Sequence, residues 1–173
     1  RSTLFPYTTL FRSIIEYEIM KLSGEITIAD DSGIVVDCLG GAPGVYSARY
    51  AGFDGNDEAN NKKLRESIKG VPFEKCTARF VSVITIVYPD GDTIVARGEI
   101  EGHVIPEERG SNGFGYDPLF IPLGYDRTFG EFDPDDKNAI SHRSRALKSL
   151  KKQLEMRKMH ENKDNEKKHF PDL

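Results

Sequence analysis

The sequence lacks tryptophan, contains only two cysteines, and has no long hydrophobic run. Cys38 and Cys76 have no second Cys or His near them at metal-ligand spacing, which argues against a zinc site. Two lone cysteines fit a reducing cytoplasm better than a disulfide-rich secreted domain. Because no apolar stretch approaches the roughly 18 residues of a membrane span, we expect a cytoplasmic protein with no membrane partner.

A strong excess of one charge is also lacking. The chain has 24 Lys and Arg residues against 28 Asp and Glu residues, a net charge of −4, which argues against a general nucleic-acid binder. Its 173 residues suit one domain. A chain of this size buries about 70% of its unfolded surface, so its core is large enough to fold without disulfides or a structural metal.

The two ends of the chain differ from its middle. Residues 1–5 are nearly mirrored by residues 9–13, and this stretch has no secretory cleavage pattern. It resembles translated sequencing-adapter sequence, so we expect residues 1–13 to be foreign or artefactual and the natural N-terminus to be missing. High polarity without periodicity predicts a charged, disordered tail over residues 156–173. The domain is therefore expected to occupy residues 14–155.

Hydrophobic periodicity in this middle part predicts alternating helices and strands. The patterns predict a helix over residues 14–22, a short strand over 25–29 that ends at Asp30 and Asp31, and a sharp turn at Gly33 into a returning strand over 34–36. Residues 54–57 open a helix that stops at Gly70.

The second half of the pattern predicts a hairpin followed by a loop and a helix. Residues 77–88 are rich in β-branched side chains and predict a central strand, which pairs with residues 93–100 through a turn at 89–92. Residues 102–117 are loop-like, and one helix is predicted from Asp135 to Met156. Together these elements predict the α/β fold class.

The first polar cluster is Ala29-Asp30-Asp31-Ser32-Gly33. Such residues often form only a turn. Carboxylates at the end of a strand, however, lie where open α/β sheets bind ligands. Two neighbouring carboxylates repel each other, and Mg²⁺ relieves that repulsion while using one or two carboxylates together with substrate phosphates. Asp30 and Asp31 are therefore candidate magnesium ligands.

The second cluster is the glycine-rich stretch Gly113-Phe114-Gly115-Tyr116-Asp117-Pro118. One reading is a flexible loop with a core Phe. The other is that the glycines allow the backbone to approach a ligand, while Phe114 stacks on a nucleobase and Asp117 accepts hydrogen bonds from base or ribose.

The third cluster contains Lys137 and the run Ser141-His142-Arg143. These residues suit a plain polar helix face, or cationic contacts to phosphate or a carbonyl group. Neighbours on a helix point about 100° apart, so His142 and Arg143 touch one ligand only near a helix start or an irregular turn.

In this order the clusters resemble the inosine triphosphate pyrophosphatase family, which hydrolyses deaminated purine nucleoside triphosphates such as ITP, dITP and XTP. The resemblance covers about residues 14–155. It rests on residues 28–33, Gly40 to Tyr50, Gly113 to Phe120, and Lys137 to Arg143 followed by Ala146-Leu147.

The resemblance implies an elongated α/β fold with a mixed central sheet flanked by helices, a homodimer, Mg²⁺, and cleavage between the α and β phosphates. It implies that Asp31 is the metal-linked general base and that Ser32 contacts substrate. Phe114, Gly115, Tyr116 and Asp117 then form the base and sugar pocket. Lys137, His142 and Arg143 contact the nucleotide, the last two near the 6-oxo edge of the base.

The sequence also departs from the family pattern. It has no opening Thr/Ser-x-Asn-x-x-Lys loop for the triphosphate and no following acidic residue on the metal side, and Ile15 stands where the family has a helix lysine. A catalytically impaired nucleotide-binding or dimerising fragment is therefore the alternative to an active enzyme. A related hydrolase of modified pyrimidine nucleotides is a third reading.

Overall fold

The computed structural model describes residues 17–52 and 55–169, without the side chains of residues 161 and 163–169. Three predicted features lie outside the described residues: the foreign segment 1–13, the helical turn at 14–16, and the helix start at Asp54. Within the described part, residues 17–23 are helical (α1), in agreement with the predicted first helix.

A four-stranded antiparallel sheet with the strand order β1-β2-β3-β4 forms the centre of the described chain. Its strands are β1 (Thr27–Val36), β2 (Thr77–Val87), β3 (Thr93–Val104) and β4 (Phe120–Pro122). β2 is buried along almost its whole length, whereas β3 alternates buried and exposed residues. The predicted central strand and its hairpin partner are therefore confirmed, and β3 runs four residues beyond the predicted end.

The course of β1 differs from its prediction. Asp30 and Asp31 lie in the middle of one continuous strand, not at the end of a short one, and the chain does not turn at Gly33. Gly33 instead allows a close approach, because a Cβ atom there would lie 2.5 Å from the carbonyl oxygen of Gly44. The Ser47 hydroxyl fixes this contact, since it accepts from the Ile34 N–H at 2.9 Å and donates to that carbonyl.

The remaining helices are α2 (Asp57–Ser67), α3 (Pro134–Ile140) and α4 (His142–His169). The single helix predicted over residues 135–156 is broken at Ser141, whose ψ of 157° is extended. α4 continues past the predicted start of the disordered tail at residue 156. Lys and Glu have high helix propensity, so a helical backbone there needs no apolar stripe.

Helix α4 packs against β2 and β3, and Gly98 makes this contact close. A Cβ atom at Gly98 would overlap the backbone of His142 and Ala146, so only glycine fits at this position. On either side of the contact lie two apolar clusters, one rich in phenylalanine and one aliphatic. The predicted α/β class, with helices packed on a central sheet, is confirmed.

Candidate active site

The second and third polar clusters meet at the ring of Phe114. The Lys137 ammonium lies 4.7 Å and the Arg143 guanidinium 6.0 Å from the ring centroid, while the Phe114 side chain is 63% exposed. The break at Ser141 produces this arrangement, because Lys137 belongs to the last turn of α3 and Arg143 to the first turn of α4. The requirement that His142 and Arg143 lie at a helix start is therefore met.

Hydrogen bonds from helix α2 and from Asp117 hold the glycine-rich loop around Phe114. The Phe114 N–H donates to Asp117 Oδ2 at 2.8 Å, and the Gly115 N–H donates to Asp57 Oδ2 at 2.7 Å. Asn61 Nδ2 donates to the Gly115 carbonyl at 3.0 Å. The loop is therefore fixed on both sides, and the exposed Phe114 ring is a prepared stacking surface.

Asp117 lies beneath this loop, where it is 2% exposed and accepts a hydrogen bond from Lys137 Nζ. Burial raises the pKa of the Asp117 carboxyl, while the hydrogen bond and charge of Lys137 lower it, and burial has the larger effect. A Cβ atom on Gly113 would overlap the Asp117 carboxylate, so that glycine makes room for the buried pair. Asp117 therefore positions Phe114 and Lys137 together.

His142 is buried and uncharged at neutral pH. Its ring stacks on Phe80 with centroids 4.9 Å apart, and burial, followed by the charges of Arg143 and Lys137, lowers its pKa to about 4. Its Nδ1 atom is buried without a hydrogen-bond partner within the described residues. A neutral imidazole offers one donor and one acceptor, so a ligand that reaches this atom would satisfy it.

Tyr116 is placed differently from its neighbours in the predicted pocket. It is 4% exposed, and its hydroxyl donates to the Ser47 carbonyl at 2.8 Å. This hydrogen bond joins the glycine-rich loop to the stretch that packs on β1. The side chain of Tyr116 therefore supports the loop from inside the fold.

The two acidic residues of β1 point to opposite faces of the sheet, because side chains alternate along a strand. Asp30 Oδ2 lies 3.1 Å from Arg143 Nε, and Asp30 Oδ1 accepts from the Ser82 hydroxyl at 3.3 Å. Ser32 is on the same face, and its Oγ is 3.4 Å from Arg143 Nη2. Asp31 is half-buried on the other face, opposite Val83 in register.

No group of three or more His, Cys, Asp or Glu side chains suited to a metal ion occurs among the described residues. The prediction that Asp30 and Asp31 bind one ion together therefore has no support from strand geometry. The Asp30 carboxylate with the hydroxyl groups of Ser32 and Ser82 on the same face is a set of oxygen donors that still fits Mg²⁺. This ion keeps several waters and takes further ligands from substrate phosphates.

Several residues that hold the site together escaped the sequence analysis. Asp57 and Asn61 on α2, Ser47 beside β1, and Phe80 and Ser82 on β2 each contact a predicted site residue. The hydrogen-bonded ones among these residues lie 52 to 69 residues away from their partners, so no local pattern marks them.

Within the described residues, no helix is both long enough and apolar enough to cross a membrane.

Three known proteins whose sequences are similar to this chain carry one and the same name. The dITP/XTP pyrophosphatase of Bacillus licheniformis is 52% identical over 132 residues, which are 76% of this chain and 67% of that protein. The dITP/XTP pyrophosphatase of Clostridium tetani is 46% identical over 150 residues, 87% of this chain and 74% of that protein. The chain spans 66% of the similarly named protein of Shouchella clausii, so it matches about two thirds of these relatives.

Solved structures with a similar fold carry related names. The nucleoside-triphosphatase, dITP/XTP pyrophosphatase, of Mycobacterium abscessus superposes with a TM-score of 0.72 at 44% identity, over 79% of this chain and 70% of that one. The Ham1 protein of Staphylococcus aureus gives a TM-score of 0.78 at 39% identity, over 82% and 73% of the two chains. The model of the Ham1 family matches residues 11–153. The resemblance found in the sequence is thus confirmed, and the chain belongs to the Ham1 family.

Proposed function

We propose that this chain hydrolyses deaminated purine nucleoside triphosphates, such as ITP, dITP and XTP, to the monophosphate and pyrophosphate. The observation that carries this proposal is the exposed Phe114 ring flanked by Lys137 and Arg143, since it joins a stacking surface to two cations. The names of the relatives, dITP/XTP pyrophosphatases, agree with it.

Selection of the base rests on His142 and Arg143 in this proposal. Inosine and xanthine carry an acceptor oxygen at position 6, where adenine carries a donor amine. Arg143 offers only donors, and the unpartnered Nδ1 of the buried His142 needs a polar partner. Adenine would leave such groups badly paired, and buried polar mismatches discriminate strongly between substrates.

Chemistry at the phosphates is assigned to β1. We propose Asp31 as the general base that takes a proton from the water attacking the α-phosphorus, with pyrophosphate as the leaving group. Ser32 would contact the substrate, and Asp30 and Asp31, which point to opposite faces of the sheet, would serve the metal separately and not as a pair on one ion. Bound Mg²⁺ would neutralise phosphate charge. Arg143, now ion-paired to Asp30, would exchange that partner for the substrate.

The domain bounds, the assembly, the location and the partners of the whole protein are proposed as follows. We propose that residues 14–155 form the catalytic domain, that the protein acts as a homodimer in the cytoplasm, and that it does not bind nucleic acid. The net charge of −4 supports the last point. Light scattering and a filter-binding assay with duplex DNA would test the two partner statements.

The function is tested by measuring pyrophosphate release from ITP, XTP and ATP with excess Mg²⁺, for the chain and for Arg143→Ala. We expect release from ITP and XTP well above ATP, and a smaller ratio of kcat/KM for ITP over ATP in the variant. Lys151→Met is the matched control, because Lys151 is 80% exposed on the same helix. Equal hydrolysis of all three substrates by the unmodified chain would contradict the proposed function.

A further inference from the structure

The two cysteines of the chain lie at the same end of the sheet, next to the last pair of β1 and β2. The pairing of β1 with β2 runs from Thr27 opposite Val87 to Val36 opposite Ala78, with one residue on each strand per step. Cys38 follows Val36 by two residues and Cys76 precedes Ala78 by two residues, so both cysteines lie just beyond the same end of this ladder. Both residues lie just beyond their strands, Cys38 in the turn over Asp37–Leu39 and Cys76 immediately before β2.

Side-chain contacts hold the two segments together just past the last backbone pair. Thr77 Oγ1 donates to Asp37 Oδ2 at 2.7 Å, and Arg79 Nη1 donates to Asp37 Oδ1 at 3.1 Å. Asp37 and Thr77 are the positions between the last strand pair and the cysteine pair. Directly opposite residues in an antiparallel ladder, such as its last pair Val36 and Ala78, have Cα atoms about 4.5–5.5 Å apart, and a disulfide spans Cα atoms about 4.4–6.8 Å apart.

The environments of the two thiols differ. Cys38 is exposed and Cys76 is buried. Burial raises the pKa of the Cys76 thiol to about 11, and the charge and hydrogen bond of the Cys38 thiol and the charge of Glu74 add to this effect. Cys38 is therefore open to an oxidant in solution, whereas the buried Cys76 is shielded from direct attack by it.

We propose that Cys38 and Cys76 form a reversible disulfide when a peroxide oxidises the protein. The Cys38 thiolate attacks one oxygen of hydrogen peroxide and becomes a sulfenic acid, with hydroxide leaving and becoming water. The Cys76 sulfur then attacks the Cys38 sulfur, and the sulfenic hydroxyl leaves with the Cys76 proton as a second water. Two thiols and one peroxide thus give one disulfide and two waters, and a thiol reductant reverses the change.

The disulfide would close a loop whose residues hydrogen-bond to the candidate active site. Residues 38–76 contain the stretch packed on β1 and helix α2, whose Asp57 and Asn61 bind Gly115. Cross-linking the ends of such a loop restricts the unfolded chain more than the folded one. We expect the melting temperature to rise by about 5–10 °C on oxidation.

The test uses the full reduced chain, hydrogen peroxide, denaturing alkylation of remaining thiols, and mass spectrometry with peptide mapping. We expect both thiols to disappear together, one intramolecular cross-link between the peptides that carry Cys38 and Cys76, and complete recovery with dithiothreitol. The variant Cys38→Ser changes only an exposed residue, and its Cys76 should remain a thiol under the same peroxide. The variant Cys76→Ser should instead carry a sulfenic or sulfinic acid at Cys38.

Two results would overturn the inference. One is over-oxidation of Cys38 in the unmodified chain while Cys76 is still alkylated after denaturation. The other is a cross-link between two chains through Cys38 alone. Both readouts follow thiol chemistry and do not depend on the proposed nucleotide hydrolysis.

Discussion

The candidate site has two sides that are built in different ways. The proposed nucleobase side surrounds Phe114, and the carboxylate side contains Asp30 and Asp31. On the proposed nucleobase side, buried Asp117 binds the Phe114 N–H and Lys137, and the exposed Phe114 ring lies near two cations. On the carboxylate side, Asp30 and Asp31 lie on one strand and point to opposite faces, and no described cluster of acids surrounds them. In the proposed function, the base pocket is therefore formed before substrate binds, whereas a metal on the carboxylate side would take its remaining ligands from substrate phosphates.

The largest effect is expected at the carboxylate side. Asp31→Asn should lower kcat for ITP by about 10²–10⁴-fold, because a positioned general base contributes that much. Asp30→Asn is the matched variant, since it removes an adjacent carboxylate that pairs with Arg143. We expect it to cost less than tenfold. Steady-state pyrophosphate release with saturating Mg²⁺ measures both, and the opposite order of effects would transfer the role of base to Asp30.

The next effect concerns the buried pair on the nucleobase side. Lys137→Met leaves the Asp117 carboxylate buried without its cation, and breaking a buried pair in this way costs about 3–5 kcal/mol. Chemical denaturation at pH 7 measures the free energy of unfolding. The double variant Lys137→Met with Asp117→Asn should recover part of the loss. If Lys137→Met were as stable as the exposed control Lys151→Met, the base pocket would not be held by this pair.

A smaller effect should appear as pH dependence of stability. The pKa of His142 is lowered from 6.5 to about 4 in the folded protein, so folding favours the neutral form. A tenfold change in a protonation constant is about 1.4 kcal/mol, which gives roughly 3 kcal/mol here. This contribution is complete above pH 6.5 and is lost as the pH falls toward about 4.

The measurement is the difference in unfolding free energy between the chain and His142→Asn at pH 7, 5.5 and 4. We expect the difference to shrink steadily as the pH falls, because asparagine does not titrate. Asp117 titrates in both proteins, so its raised pKa largely cancels in the difference. A difference that is independent of pH would show that His142 contributes through packing on Phe80 alone.

The sequence predicted the elements of this fold better than it predicted their contacts. The β2–β3 hairpin followed from β-branched composition and a turn signal, both of which are local. The course of β1 could not be predicted from local sequence. A glycine is needed at position 33 because the backbone of Gly44 packs closely against it, and this tertiary contact leaves no local pattern. The break between α3 and α4 was missed for a similar reason, since apolar periodicity continues across Ser141 while the backbone does not.

The same division applies to the site. Phe114, Lys137 and Arg143 were predicted to act together, and the structure brings them together. The paired action of Asp30 and Asp31 was inferred from adjacency, although adjacency in a strand separates side chains to opposite faces. The buried position of Tyr116 depends on a hydrogen bond to Ser47, a partner 69 residues away. Contacts of that range are set by the packing of the sheet.

The smallest effect is expected at the stacking surface itself. Phe114→Ala should weaken binding of every nucleotide by about 1–3 kcal/mol, because stacking on an aromatic ring depends little on the identity of the base. Folding should hardly change, since the Phe114 side chain is 63% exposed and its backbone N–H still binds Asp117. Competition by IMP and AMP in the pyrophosphate-release assay measures the two affinities. Leu123→Ala removes a side chain of similar exposure, 64%, and serves as the control. Equal loss for IMP and AMP would assign Phe114 to stacking and leave selectivity to His142 and Arg143, whereas a loss confined to IMP would place base discrimination in the glycine-rich loop.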